Sequence, residues 1–158
     1  MVPAWAIVSI SETELTVRLI NGAEISVVGM DKPSRIEGRP LDGIVLDEYG
    51  NMKPEVWGEN VRPALSTVGR EGWAWLIGVP EGRNHYYQLT LKAVNSEDMD
   101  IFTWPSSDIL PEKEILAAMG ELDARTFKQE YEASFETYTG VAYYGWDRAT
   151  HIRAFDYV

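Results

Sequence analysis

The chain contains no cysteine, which excludes a disulfide framework and thiolate metal centres. It is also poor in positive charge: 14 Lys and Arg against 25 Asp and Glu leave a net charge of −11. Attraction of the whole surface to nucleic-acid phosphates is therefore excluded, and any such contact must be local. No apolar run approaches the ~20 residues of a membrane span, and the N-terminus lacks the basic region that opens a secretion signal. The expectation is a soluble protein without a membrane partner. No Gly-Lys dipeptide occurs anywhere, so the P-loop, G-x-x-x-x-G-K-[ST], is missing from these residues. What is present is 158 residues, 45% of them hydrophobic, enough for one domain with a real core.

One stretch organises the rest. Gly43-Ile44-Val45-Leu46 is a short apolar run without alternation, read as a strand buried on both faces, and it ends abruptly in Asp47-Glu48. Ligands of open α/β sheets sit beyond the carboxyl ends of the strands. Adjacent carboxylates there suit a nucleotide and its metal, one holding Mg²⁺ directly or through water, the other orienting the water that attacks a γ-phosphate. An isolated apolar run ending in Asp-Glu is more often a strand that stops at a solvated turn, so the neighbours decide.

Ahead of this stretch, Leu15, Val17 and Leu19 alternate with Thr16 and Arg18. Asn21-Gly22 supplies a tight turn, and Ile25 and Val27 resume the alternation, which predicts a β-hairpin. Residues 5–8 are read as a preceding strand. The connection 29–41 carries Lys32, Arg35 and Arg39 among glycines and prolines, cations that face either phosphate or solvent.

Following the carboxylates, Asn51 to Pro54 form a turn, and a helix is expected from about Glu55 to Leu65. Residues 72–77 then give a second apolar run, halted by Gly78-Val79-Pro80-Glu81-Gly82. Strand, helix, strand makes a βαβ unit, which places Asp47-Glu48 and the 78–82 loop at one sheet edge.

The remainder reads as mostly helical. Asn84 caps a helix through about Ala93, and residues 101–104 are expected as a short strand stopped by Pro105. One helix runs from Pro111 to Met119, ended by Gly120, and another from Asp123 to Thr137 with Phe127, Tyr131 and Phe135 on one face. Residues 141–146 read as a strand. Asp147, His151 and Asp156 match no metal-ligand spacing, and a solvated tail is the better reading.

Taken in order, Gly29-Met30-Asp31-Lys32-Pro33-Ser34-Arg35-Ile36-Glu37-Gly38-Arg39-Pro40, Asp42 to Tyr49, Arg62-Pro63-Ala64-Leu65, Gly78 to Asn84 and Phe127-Lys128-Gln129-Glu130-Tyr131-Glu132-Ala133-Ser134-Phe135 resemble the large subunit of tailed-phage terminases. That family is the ATPase and nuclease of the DNA-packaging motor. The similarity covers nearly the whole chain, and the last block is its most specific part. The resemblance implies an α/β fold: a partial P-loop NTPase (RecA-like) sheet with an N-terminal β-hairpin and a helical C-terminal segment. It divides the chain into 1–105, the back half of the ATPase domain, and 106–158, a linker towards an absent nuclease domain.

The same resemblance assigns roles. Asp47 matches the Walker B carboxylate associated with Mg²⁺, and Glu48 the glutamate that activates water. Gly78, Val79, Pro80 and Gly82 match the motif coupling ATP hydrolysis to movement, where the family commonly has Gly-Thr-Pro; Val79 lacks that hydroxyl. Arg35 or Arg39 corresponds to a phosphate-reading arginine, and Gln129-Glu130 to a structural segment. Implied cofactors are ATP and Mg²⁺. Implied partners are the missing P-loop half, the nuclease domain, DNA, the terminase small subunit and the portal, with a homo-oligomer as a further option, all in the host cytoplasm. Without a P-loop, the chain alone is expected to be inactive. The alternatives are a split-gene half that completes the motor with a separately encoded partner, and a noncatalytic interaction module or prophage remnant.

Overall fold

A computed structural model describes residues 2–136, which fall into two units dividing between Ile77 and Gly78. The expected strand at 141–146 and the Asp147, His151 and Asp156 set lie outside the described residues.

The first unit opens with a 3₁₀ turn, Ala4–Ala6, so the first strand starts later than the sequence suggests, as β1 (Ile7–Ser11). It continues into β2 (Thr16–Leu19) and β3 (Glu24–Ser26), an antiparallel meander in the order β1-β2-β3. The expected hairpin joins β2 to β3. Gly22 takes φ +83, a left-handed conformation that costs glycine little, and the Ala23 N–H donates to Asn21 Oδ1 at 3.1 Å. On one face, buried Thr16 meets Ser26 at 3.0 Å. There too Arg18 donates to Glu24 at 3.2 Å and holds its carboxyl below the usual carboxylate value. Ile10, Val17 and Ile25 share the other face, since they pair across the strands.

Two parallel strands form the second sheet, β4 (Gly43–Leu46) and β5 (Trp73–Leu76), in register Gly43↔Trp73 to Leu46↔Leu76. Between them the chain passes through a helical crossover, as the βαβ pattern requires. It is wider than expected. Val56–Val61 is a π-helix that tightens into α1 (Arg62–Leu65). Pro63 has no N–H to donate and follows the widened turn directly, the usual setting for an irregular helical ladder.

The crossover corrects one expectation. Leu46 is 2% exposed, but Val45 on the opposite face is 52% exposed, so β4 is buried on one face only. A single crossover can cover a single face. The core of this unit is Ile36, Leu46, Tyr49, Val56, Val61 and Leu65. Its irregular connection includes a 3₁₀ turn, Pro33–Ile36, packed on the π-helix and tied to it by Asn60 Nδ2 donating to Glu37 at 2.9 Å.

Helices dominate the second unit. α2 (His85–Ala93) begins at the expected Asn84 cap, whose Oδ1 accepts from the N–H groups of Tyr86 and Tyr87 at 3.0 and 3.3 Å. Asn84→Ala is expected to cost about 1 kcal/mol, read as a lower urea midpoint with unchanged slope. Residues 101–104 are not a strand: Ile101, Phe102 and Trp104 are exposed, and no neighbouring strand among the described residues pairs with them. α3 (Glu112–Glu121) ends one residue past Gly120, with Leu122 as its C-cap, close to the expected stop. Asp123 caps α4 (Ala124–Tyr131) by accepting from Arg125 and Thr126, and its carboxyl is held low chiefly by the Thr126 hydroxyl. The expected extension to Thr137 fails because Ala133 turns left-handed at φ 50. Phe127 and Tyr131 stack at 5.2 Å on α4, but Phe135 lies past its end and packs against Tyr86 and Tyr87 at 5.8 and 5.3 Å.

Candidate functional site

Charge begins where burial stops. Asp47 and Glu48 follow Leu46 directly and precede a 3₁₀ turn, Tyr49–Asn51. Tyr49, like Leu46, is 2% exposed. Burial pushes the Tyr49 hydroxyl upward from its ordinary value, and its N–H donates to the Ile77 carbonyl at 3.0 Å. The Ile77 N–H in turn donates to the Leu46 carbonyl at 3.0 Å. Two buried side chains and two backbone bonds thus clamp the turn from both sides, leaving its carboxylates in solvent.

Glu48 carries a second mark. It is left-handed, at φ 52 and ψ 43, a conformation that costs a non-glycine residue on the order of 1 kcal/mol and persists where neighbours enforce it. The N–H of Glu48 donates to Asp47 Oδ1 at 3.1 Å, a local bond of the kind Asp provides at turns. The effect is to aim two successive acids from one strand end, with one of them braced by the next peptide.

Both acids line an open cleft of about 400 Å³ together with Met30, Asp31, Asn51, Met52 and Lys53. No group of three or more His, Cys, Asp or Glu side chains able to hold a metal occurs among the described residues. A closed protein cage for a cation is thereby excluded there. The donor set fits a hard cation such as Mg²⁺, which usually takes one or two carboxylates and completes its octahedron with water and substrate phosphate oxygens.

The other predicted site residues separate. Arg35 donates to Asp31 at 2.8 Å and to the Gly29 carbonyl at 3.2 Å, so it reaches the rim of the cleft through a partner that lines it. Arg39 turns instead to Glu24 of β3 at 3.3 Å. Neither guanidinium lines the cleft itself. Gly78, Val79, Pro80 and Gly82 open the second unit, with Pro80 buried, Val79 exposed and Gly82 left-handed at φ 54. Sequence reasoning did not single out Asp31 or Lys53 as cleft residues. The signal for Asp31 was its i,i+4 spacing to Arg35; nothing in the sequence distinguished Lys53.

Comparison with known proteins gives a consistent picture. No family model matches. The chain is 30% identical over 134 residues to the terminase large subunit of Thermus virus P23-45, and 29% identical over 134 residues to that of Thermus phage G20c. Each match takes in 74% of this chain and 27% of the relative, so the chain spans about a quarter of their length. Among solved structures, the large terminase ATPase domain of Thermus phage P74-26 superposes with TM-score 0.66 at 26% identity, covering 84% of this chain and 64% of that domain. A mutant of the same domain matches equally well, with TM-score 0.66 at 25% identity. The chain accordingly has the α/β, RecA-like fold of that domain, in part.

Proposed function

Because the chain is a relative of the phage terminase large subunits, matching part of their ATPase domain, we propose that it supplies the metal-and-water side of an ATP-hydrolysing site that drives DNA translocation. Asp47 holds Mg²⁺, directly or through a water. Glu48 accepts a hydrogen bond from the attacking water and orients it in line with the γ-phosphate, taking its proton as the bond forms. When bound, Mg²⁺ neutralises charge that develops on the phosphate oxygens. Tyr49 and Leu46 position both acids by fixing the turn between them. Arg35, already at the rim, is the better placed of the two arginines to read phosphate, once Asp31 releases it. The 78–82 segment follows β5 directly and carries the coupling motif, with Val79 where a hydroxyl is usual.

The observation that carries this reading is a pair of carboxylates at the carboxyl end of a parallel strand, opening into a cleft with room for a ligand. In the intact motor, the wider partners are DNA, the small subunit, the portal and a nuclease domain. The phosphates themselves need a cradle that these 158 residues do not contain. Purified alone, the chain is expected to show no appreciable ATP turnover in a coupled assay with Mg²⁺. Robust turnover that Glu48→Gln abolishes would mean that the chain carries a phosphate cradle of its own and would refute the division of labour.

A further inference from the structure

Resting on the ATPase reading, we propose that Asp31 is a latch on Arg35 and thereby sets the preference of the site for a triphosphate over a diphosphate. The charged lining of the cleft is three carboxylates, Asp31, Asp47 and Glu48, against one cation, Lys53. A terminal phosphate entering it calls for a further positive group, and Arg35 is the cation held by an acid of the cleft itself. Arg35 Nη1 donates to Asp31 Oδ1 at 2.8 Å and to the Gly29 carbonyl at 3.2 Å. Those two bonds use both hydrogens of that nitrogen and keep the guanidinium out of the cleft lining. Gly29 makes room for the arrangement. A Cβ at position 29 would come within 2.8 Å of Asp31 Oδ1 and 3.1 Å of Arg35 Nη1, so the pair closes over bare backbone.

The latch opens without refolding. Buried Ile36 and the turn Pro33–Ile36 fix the backbone against the π-helix, while the side chains of Arg35 and Asp31 are 47% and 63% exposed. An ion pair that exposed is weak. Phosphate carries more charge than a carboxylate and presents oxygens that match the fork of a guanidinium, so a γ-phosphate beside Asp47 and Glu48 draws Arg35 off Asp31. A diphosphate leaves that position empty, and Arg35 stays latched. The other acids nearby are engaged elsewhere. Glu37, between the two arginines, accepts from Asn60 at 2.9 Å, and Glu24 accepts from Arg39 at 3.3 Å. Among the described residues, Asp31 is therefore the acid that competes with phosphate for Arg35.

Two substitutions open the latch by different routes: Asp31→Asn removes the charge that holds Arg35, and Gly29→Ala crowds the pair apart while leaving that charge in place. Calorimetry with Mg²⁺ on the ATPase assembled with its phosphate cradle measures the affinity of each variant for ADP and for a non-hydrolysable ATP analogue. Both variants are expected to bind the ATP analogue about two- to fivefold more tightly, the worth of an exposed ion pair, with ADP affinity nearly unchanged. Arg35→Gln is expected to abolish both gains. Gains that persist in the Arg35→Gln background would overturn the latch, because Asp31 would then act as a repelling charge and not through the arginine. Weaker or unchanged binding of the analogue in both variants would overturn it too. The ATPase reading fails separately: analogue binding that Asp47→Asn leaves intact refutes that reading, whereas Asp47-dependent binding that neither variant tightens refutes only the latch.

Discussion

Replacing Glu48 by glutamine is expected to lower ATP turnover of the assembled ATPase by about 10²–10⁴-fold, the usual contribution of a positioned general base, while nucleotide binding stays nearly unchanged. Glutamine keeps the length and one hydrogen-bonding oxygen of Glu48 but cannot accept the proton of the attacking water. The loss should therefore fall on kcat and leave KM almost untouched. The left-handed backbone of Glu48 adds a second arm to the same experiment. Glu48→Gly removes the carboxylate and also relieves a strained conformation, so it should abolish turnover without lowering the unfolding temperature. A Glu48 whose role is confined to the turn gives turnover that survives both substitutions, because glycine adopts the same left-handed backbone at no cost. Kinetics and thermal melts on the two variants separate these outcomes.

The second large effect is on stability. Leu46→Ala is expected to cost about 2–5 kcal/mol, the range for deleting a fully buried leucine, whereas Val45→Ala, one residue earlier, should stay within about 0.5 kcal/mol. The contrast follows from 2% against 52% exposure on opposite faces of β4. A loss of that size removes a large part of the ~5–15 kcal/mol that holds a domain together. It also frees the turn carrying Asp47 and Glu48. Urea unfolding of the two variants measures the difference. Equal, large costs would mean that the outward face is covered as well, and a larger cost at position 45 would mean that the two faces have been assigned the wrong way round.

How much of this was legible in the sequence depended on whether the signal was local. The Asn21-Gly22 turn, the Asn84 cap and the end of β4 at Asp47 are set by a few adjacent residues, and each appears where the pattern places it. The parallel pairing of residues 43–46 with 73–76 also followed, since strand, helix and strand at that spacing leave few topologies. What failed depended on distant packing. The apolar run 43–46 could not reveal that Val45 stays half-exposed on one side of β4, because periodicity measures hydrophobicity and not the presence of a neighbour. Residues 101–104 look like a strand but pair with no other strand among the described residues. At the site, the two acids were visible because charge interrupts an apolar run. Lys53 reaches the cleft through folding of the turn, which no spacing rule encodes, and the i,i+4 spacing of Asp31 to Arg35 indicates an ion pair without indicating a cleft.

The claim on which the rest depends is that Asp47 carries the metal of a nucleotide-bound site. Binding of Mn²⁺, measured by electron paramagnetic resonance on the assembled ATPase with and without a non-hydrolysable ATP analogue, addresses it most directly. The account predicts nucleotide-dependent Mn²⁺ binding that Asp47→Asn weakens at least about tenfold, within the range seen when a metal site loses part of its support, and that Glu48→Gln leaves nearly intact. Mn²⁺ binding that is indifferent to Asp47→Asn, or that occurs equally well without nucleotide, would contradict it.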